Sequence, residues 1–165
     1  MKWRFAIIPL LVSTISSFGQ GSPTDPTITS QPQSQTVPAG ADVTLSVTAS
    51  GTAPLTYQWW DSAGAILDAT NADYILNPAQ TNNTDNYFVI VGNDYGAITS
   101  AVAALVVYLP VSITSQPQNQ TACAGSEVTW TVAASGTNLT YQWQRDGTNL
   151  VEGADNFTGT TSATL

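Results

Sequence analysis

Only 8% of the 165 residues are charged, none is histidine, the formal net charge is −8, and 42% are hydrophobic. The hydrophobic share suffices for a core and argues against disorder throughout, while the abundance of Thr, Ser, Asn, Gln, Gly and Ala suits strands and tight turns better than helices. Lys2, Arg4 and Arg145 are the whole basic complement; displacing counterions from phosphates or holding an anionic lipid surface needs more, so nucleic acid and membrane-surface partners are excluded.

Lys2 and Arg4 precede the apolar stretch from Phe5 to Val12, and Ser17-Phe18-Gly19 places small residues at the −3 and −1 positions before Gln20. This is the pattern of a secretory signal peptide over residues 1–19. A membrane anchor is the alternative, but the apolar run is short and Pro9 interrupts it. No later stretch could span a bilayer, so no membrane insertion is expected once the segment is removed. Arg145 then stands alone against eleven acidic residues. The expected location is secreted or cell-surface, with residues 20–26 as a linker.

The remainder repeats itself. Ile28-Thr29-Ser30-Gln31-Pro32-Gln33 recurs as Ile113-Thr114-Ser115-Gln116-Pro117-Gln118 at an offset of 85, and Thr56-Tyr57-Gln58-Trp59 recurs as Thr140-Tyr141-Gln142-Trp143 at an offset of 84. Between them Ala39-Gly40-Ala41-Asp42-Val43-Thr44 matches Ala124-Gly125-Ser126-Glu127-Val128-Thr129, and Ala49-Ser50-Gly51-Thr52 matches Ala134-Ser135-Gly136-Thr137. Such a period is too long for a solenoid unit and fits a small domain. It predicts one domain over residues 27–108 and a second over 109–165.

Within the first copy Val43, Leu45 and Val47 alternate with Thr44, Ser46 and Thr48. Tyr57 and Trp59 alternate with Thr56 and Gln58, and Tyr87, Val89 and Val91 with Phe88 and Ile90. Period-two alternation marks strands with one buried face. Turn residues divide the runs at 49–51, 61–64, 82–85 and 92–96. Short alternating strands with regular turns predict an all-β antiparallel sandwich.

The combination Gly40-x-x-Val43-x-Leu45-x-Val47, Trp59 and Asp85-x-Tyr87-x-Val89 resembles strands B, C and F of immunoglobulin-like domains. The resemblance covers 27–165 and is to the I-set-like bacterial domains strung in tandem in secreted and surface proteins. It implies tandem β-sandwiches of Greek-key topology, with Trp59 and Trp143 in the cores and Tyr87 at the strand F corner. Val47 and Val89 stand where the inter-sheet disulfide of such domains would be. The second copy shows strands A, B and C, and Ser162-Ala163-Thr164-Leu165 as the start of strand E. No Asp-x-Tyr corner or strands F and G follow, so this domain reads as incomplete and the parent polypeptide as longer. Cys123 replaces Pro38 of the first copy. The resemblance implies a disulfide partner for it between strands F and G, beyond these residues.

Catalysis has little to build on. Without histidine a Ser-His-Asp or Cys-His site is impossible and zinc loses its commonest nitrogen ligand. Asp61, Asp68 and Asp73 fall in turns and edges, and no spacing resembles a calcium loop. No enzyme activity, cofactor or metal is expected. If Trp59 points inward, Trp60 points outward beside Phe88 and Ile90, a candidate binding face for an extracellular protein or glycan. The plainer reading is a lone surface aromatic, or one covered by loops or a neighbouring domain. The second copy has Gln144 there. Asn82, Asn119, Asn138 and Asn156 begin Asn-x-Thr triplets, which come cheaply in such a composition. The function expected is a non-catalytic extracellular spacer or presentation module; the alternatives are adhesion through the Trp60 face, or an accessory domain of a secreted hydrolase.

Exported from a secreting host, the protein should begin at Gln20. N-terminal sequencing checks this, and soluble exported protein that still carries Met1 contradicts it.

Overall fold

The computed structural model describes residues 22–165, so the expected signal peptide, 1–19, lies outside the described residues, as does Gln20. No α-helix occurs among them; two three-residue 3-10 turns, Thr81–Asn83 and Ala154–Asn156, are the only helical pieces.

The first unit contains ten strands: β1 (Thr27–Ser30), β2 (Gln35–Pro38), β3 (Val43–Ser46), β4 (Thr48–Ser50), β5 (Thr56–Asp61), β6 (Gly64–Ala65), β7 (Asp73–Leu76), β8 (Asp85–Asn93), β9 (Gly96–Thr99) and β10 (Ala103–Tyr108). One sheet runs β2-β10-β8-β5-β6, with β9 also on β8. The facing layer is built from β1 on β4 and β7 on β3. Val47 alone separates β3 from β4, and its N–H donates to Ala72 O at 3.0 Å, carrying the β3–β7 ladder onward. Between β1 and β2 the chain changes layers at the buried Pro32, a residue with no N–H to give a ladder.

β9 and β10 act as one strand with a bulge, since both pair antiparallel to β8. At the break, Ser100 N–H donates to Val89 O at 2.9 Å and Val89 N–H donates to Ser100 Oγ at 3.0 Å. The hydroxyl thus supplies the acceptor that an unbroken ladder would have offered.

The inward residues are those of the alternating pattern: Val43, Leu45 and Val47; Trp59; Tyr87, Val89 and Val91; Ala103, Leu105 and Val107. Val47 and Val89 are both buried and apolar, so no disulfide joins the layers at this place. Tyr87 donates its hydroxyl to Asn83 O at 2.8 Å, and its ring lies 5.6 Å from that of Tyr74. The neighbouring Asp85 accepts Ser62 Oγ–H at 2.6 Å and Asn86 N–H at 2.7 Å, donors that hold its carboxyl below the usual carboxylate range.

The second unit repeats this plan. β11 (Ser112–Ser115) pairs with β12 (Ala133–Ser135) in the same register, with the same bulge, as β1 with β4. β13 (Gln144–Arg145) and β14 (Thr148–Asn149) repeat the β5–β6 hairpin. Trp130 and Leu165 exchange both backbone hydrogen bonds at 2.9–3.0 Å, so Ser162–Leu165 takes the place β7 has in the first unit. Every strand pairing among the described residues falls within 27–108 or within 112–165. The molecule is therefore all-β, two immunoglobulin-like sandwiches in tandem, the second incomplete: its described residues hold no counterpart of β8, β9 or β10. For the same reason residues 120–123, the counterpart of β2, form no strand, because β2 is held by β10.

Burial, then the nearby Tyr74 and the Asp85 and Asp61 carboxylates, push the Tyr87 hydroxyl up to about 12. An unfolded tyrosine ionises near pH 10, so the stability linked to this group is complete below pH 10 and is lost as pH rises from 10 to 12, about 3 kcal/mol in all. Urea unfolding at pH 8, 10, 11 and 12 should show a steeper alkaline loss in the native protein than in Tyr87→Phe. At pH 8 the variant should be weaker by only about 1 kcal/mol, the hydrogen bond to Asn83. Parallel losses in the two proteins contradict the assignment.

Candidate functional site

Two features of the first unit and its exit are built from residues that the core does not require. The first is the outer face of the β2-β10-β8-β5-β6 sheet. Trp60 pairs with Phe88, Gln58 with Ile90, and Ile90 with Thr99 across β5, β8 and β9. Because Trp59 is fully buried, alternation turns Trp60 outward, and its ring stacks on Phe88 with centroids 6.1 Å apart and planes 9° from parallel. Trp60, Phe88 and Ile90 are thus brought to one face, yet each is only half-exposed. Trp60 and Phe88 cover each other, so Trp60 is not a lone aromatic. The Trp60 indole Nε1–H is buried without an acceptor.

The same face continues across β10, where Ala104, Val106 and Tyr108 point outward opposite the buried Ala103, Leu105 and Val107. Val106 is 43% exposed and Val102, just before β10, 58%. Sequence reasoning missed this half because Ala103–Tyr108 is a nearly continuous apolar run in which alternation cannot be seen. No position of the face from Thr56 to Tyr108 named here is charged.

Gln58, which lies on this face, is structural. Its Nε2 donates to Trp59 O at 2.9 Å and Ile66 O at 2.7 Å, tying β5 to the chain beyond β6. Gln142 does the same with Trp143 O and Leu150 O, both at 3.0 Å. This explains why the Thr-Tyr-Gln-Trp run is repeated whole.

The acidic candidates do not converge. Asp61 accepts Ala63 N–H at 2.8 Å and Gly64 N–H at 3.1 Å, closing the β5–β6 turn. Asp68 sits in a left-handed turn with φ 59°, and Asp73 lies in β7. No cluster of three or more metal-ligating side chains occurs among the described residues. Arg145 is held by Asp155 at 3.2 Å and lies 5.5 Å from the centre of the Phe157 ring. Cys123 is exposed and free among the described residues.

The second feature is the junction. β10 ends at Tyr108, and the next residue is already fixed to the second unit: Leu109 N–H donates to Thr137 Oγ1 at 2.7 Å, and Thr137 N–H donates to Leu109 O at 2.9 Å. Pro110 follows with its fixed φ and restricts Leu109 in turn. Gly136, at φ 148°, lets Val111 pass closely, since a Cβ there would sit 3.0 Å from Val111 Cα. The first unit holds its own entry likewise: Thr24 N–H donates to Thr52 Oγ1 at 2.8 Å and Thr52 N–H to Thr24 O at 3.2 Å, with Pro26 buried. Residues 24–26, assigned to a linker on sequence, are thus packed on the first unit. The repeated Ala-Ser-Gly-Thr turn was the visible signal of both clamps.

Residues 25–93 match the immunoglobulin domain family, so the chain carries an immunoglobulin-like domain. It is 30% identical over 143 residues to Endoglucanase C of Cellulomonas fimi, covering 82% of this chain and 13% of that protein. It is 28% identical over 142 residues to Leucine-rich repeats and immunoglobulin-like domains protein 3 of Mus musculus, covering 74% of this chain and 13% of that protein. Among solved structures, the eight N-terminal immunoglobulin domains of Down Syndrome Cell Adhesion Molecule superpose with a TM-score of 0.64 at 18% identity, over 87% of this chain and 19% of that one. That likeness concerns the fold, and it extends over both units. The chain thus spans only a small part of the curated relatives it matches.

Replacing Trp60 tests the face. Trp60→Ser removes the stack and part of the buried area and should cost about 1–3 kcal/mol in thermal unfolding. Trp60→Phe keeps a ring against Phe88 and removes the stranded N–H, so it should cost less than about 1 kcal/mol. Equal losses in the two variants contradict the stacked arrangement.

Proposed function

We propose that the chain is a non-catalytic extracellular spacer that presents a neighbouring domain of its parent protein at a set distance. The junction carries this reading. A connection whose first residue is clamped by both its N–H and its C=O has lost the freedom that makes linkers flexible. The low charge and the end of β10 directly at the clamp support it. Export through residues 1–19 and a bacterial source belong to the same proposal. The similarity to a segment of Endoglucanase C supports the variant in which the domain being spaced is a secreted hydrolase.

A second reading, adhesion, is favoured by one observation: the uncharged apolar outer face from Trp60 and Phe88 to Val102 and Val106, which fits an extracellular protein or glycan. Retention on such a support that Trp60→Ser abolishes, with the fold intact, distinguishes it.

The spacer reading is tested by pulsed dipolar spectroscopy in the full-length parent protein, between nitroxides at Leu67→Cys and Val151→Cys, with Cys123 and any other cysteine replaced by serine. One narrow distance distribution is expected, and Thr137→Val, which removes the acceptor for Leu109 N–H, should broaden it. A distribution equally broad in both proteins overturns the reading.

A further inference from the structure

The second unit spends more chain than the first on one connection. In the first unit Ile66 N–H donates to Trp59 O and Trp59 N–H to Ala69 O; Leu150 N–H to Trp143 O and Trp143 N–H to Thr160 O repeat these bonds in the second. Between the two fixed points the first unit uses two residues, Leu67 and Asp68, and the second uses nine, Val151 to Gly159. The longer connection is held in one shape. Glu152 accepts Thr160 N–H at 2.9 Å and Thr160 Oγ1–H at 3.1 Å on one carboxylate oxygen, and Gly159 N–H at 3.1 Å on the other. The Thr160 and Gly159 N–H groups hold this carboxyl below the usual carboxylate range. Within the loop Gly153 N–H donates to Phe157 O and Phe157 N–H to Ala154 O, both at 2.9 Å. The sandwich does not need these residues, since the first unit closes the same span without them.

Against the β13–β14 hairpin this loop forms a cavity of about 130 Å³. Leu150, Val151, Ala154 and Phe157 give it apolar walls, and Arg145 and Asp155 stand side by side at 3.2 Å, both side chains more than half exposed. One guanidinium nitrogen meets one carboxylate oxygen, which leaves further donors on Arg145 and further acceptor positions on Asp155 for a ligand. We propose that the cavity binds one neutral pyranose residue, with Asp155 accepting from one hydroxyl and Arg145 donating to its neighbour. The lining selects this class. An anion is disfavoured, because Asp155 already neutralises Arg145 and the same stretch carries Asp146 and Glu152 as well. A wholly apolar ligand would strip water from the ion pair without replacing its hydrogen bonds. A pyranose brings adjacent hydroxyls that both donate and accept, and C–H faces for the apolar walls. The loop that Glu152 fixes in advance removes much of the ordering cost of binding.

The test titrates methyl β-glucopyranoside, whose ring hydroxyls are all equatorial, into the full-length parent protein and reads binding by saturation-transfer NMR. The native protein should show a saturable component that is lost when Val151–Gly159 is replaced by the first unit's Leu-Asp connection. Arg145→Ala should weaken the same component about tenfold, the loss of a hydrogen bond from a charged group, and leave thermal unfolding unchanged, since its side chain is 61% exposed. That variant keeps the loop, so it decides the matter even where the shortened connection fails to fold. Equal binding by the native protein and Arg145→Ala overturns the proposal, and so does the absence of saturable binding by the native protein. Tighter binding of methyl β-glucuronide, which carries a carboxylate, also overturns it and assigns the cavity to an anion.

Discussion

The whole architecture hangs on one tryptophan in each unit and on the carbonyl that receives its indole. Trp59 lies between the two layers with no exposure, and its Nε1–H donates to Asn71 O at 2.9 Å. Its backbone is fixed as well, with its N–H on Ala69 O and its C=O accepting Ile66 N–H, both at 3.0 Å. A buried indole needs a partner for its N–H, so the chain that crosses between the layers must come to the ring. Trp143 repeats the arrangement with Ser162 O at 2.9 Å, and its backbone with Thr160 O and Leu150 N–H. The apolar residues of β3, β8 and β10 pack around this ring.

This anchor survives where the surrounding core does not. In the second unit the polar attachments of Trp143 are complete although the apolar walls that β8 and β10 give Trp59 have no counterpart among the described residues. The attachments arise between segments close in sequence, within about twenty residues of the ring, whereas the walls come from strands much farther along the chain. Local hydrogen bonds and long-range burial are separable contributions in this fold, and the two units display them side by side.

The outer face and the junction draw on opposite uses of the same alternation. On β5 the phase that buries Trp59 turns Trp60 out onto Phe88. On β10 the phase that buries Leu105 turns out Val106 and Tyr108, and the strand then ends at the point where Thr137 takes hold of Leu109. The sheet that closes the first core thereby leads directly into the clamp of the second unit.

The repeat, the strand phases, the inward places of Trp59 and Tyr87 and the shared face of Trp60, Phe88 and Ile90 were legible in the sequence. Each depends on period-two alternation or on matched runs, which are properties of neighbouring residues. Only the tertiary structure decided that Trp60 is half-covered by Phe88 with its N–H stranded, that Val102 and Val106 extend the face, and that Thr137 grips Leu109. Those facts depend on which strands become neighbours and on contacts between residues far apart in the chain. A single strand's pattern says which side a residue faces; how much of that side remains open is set by the strand laid next to it.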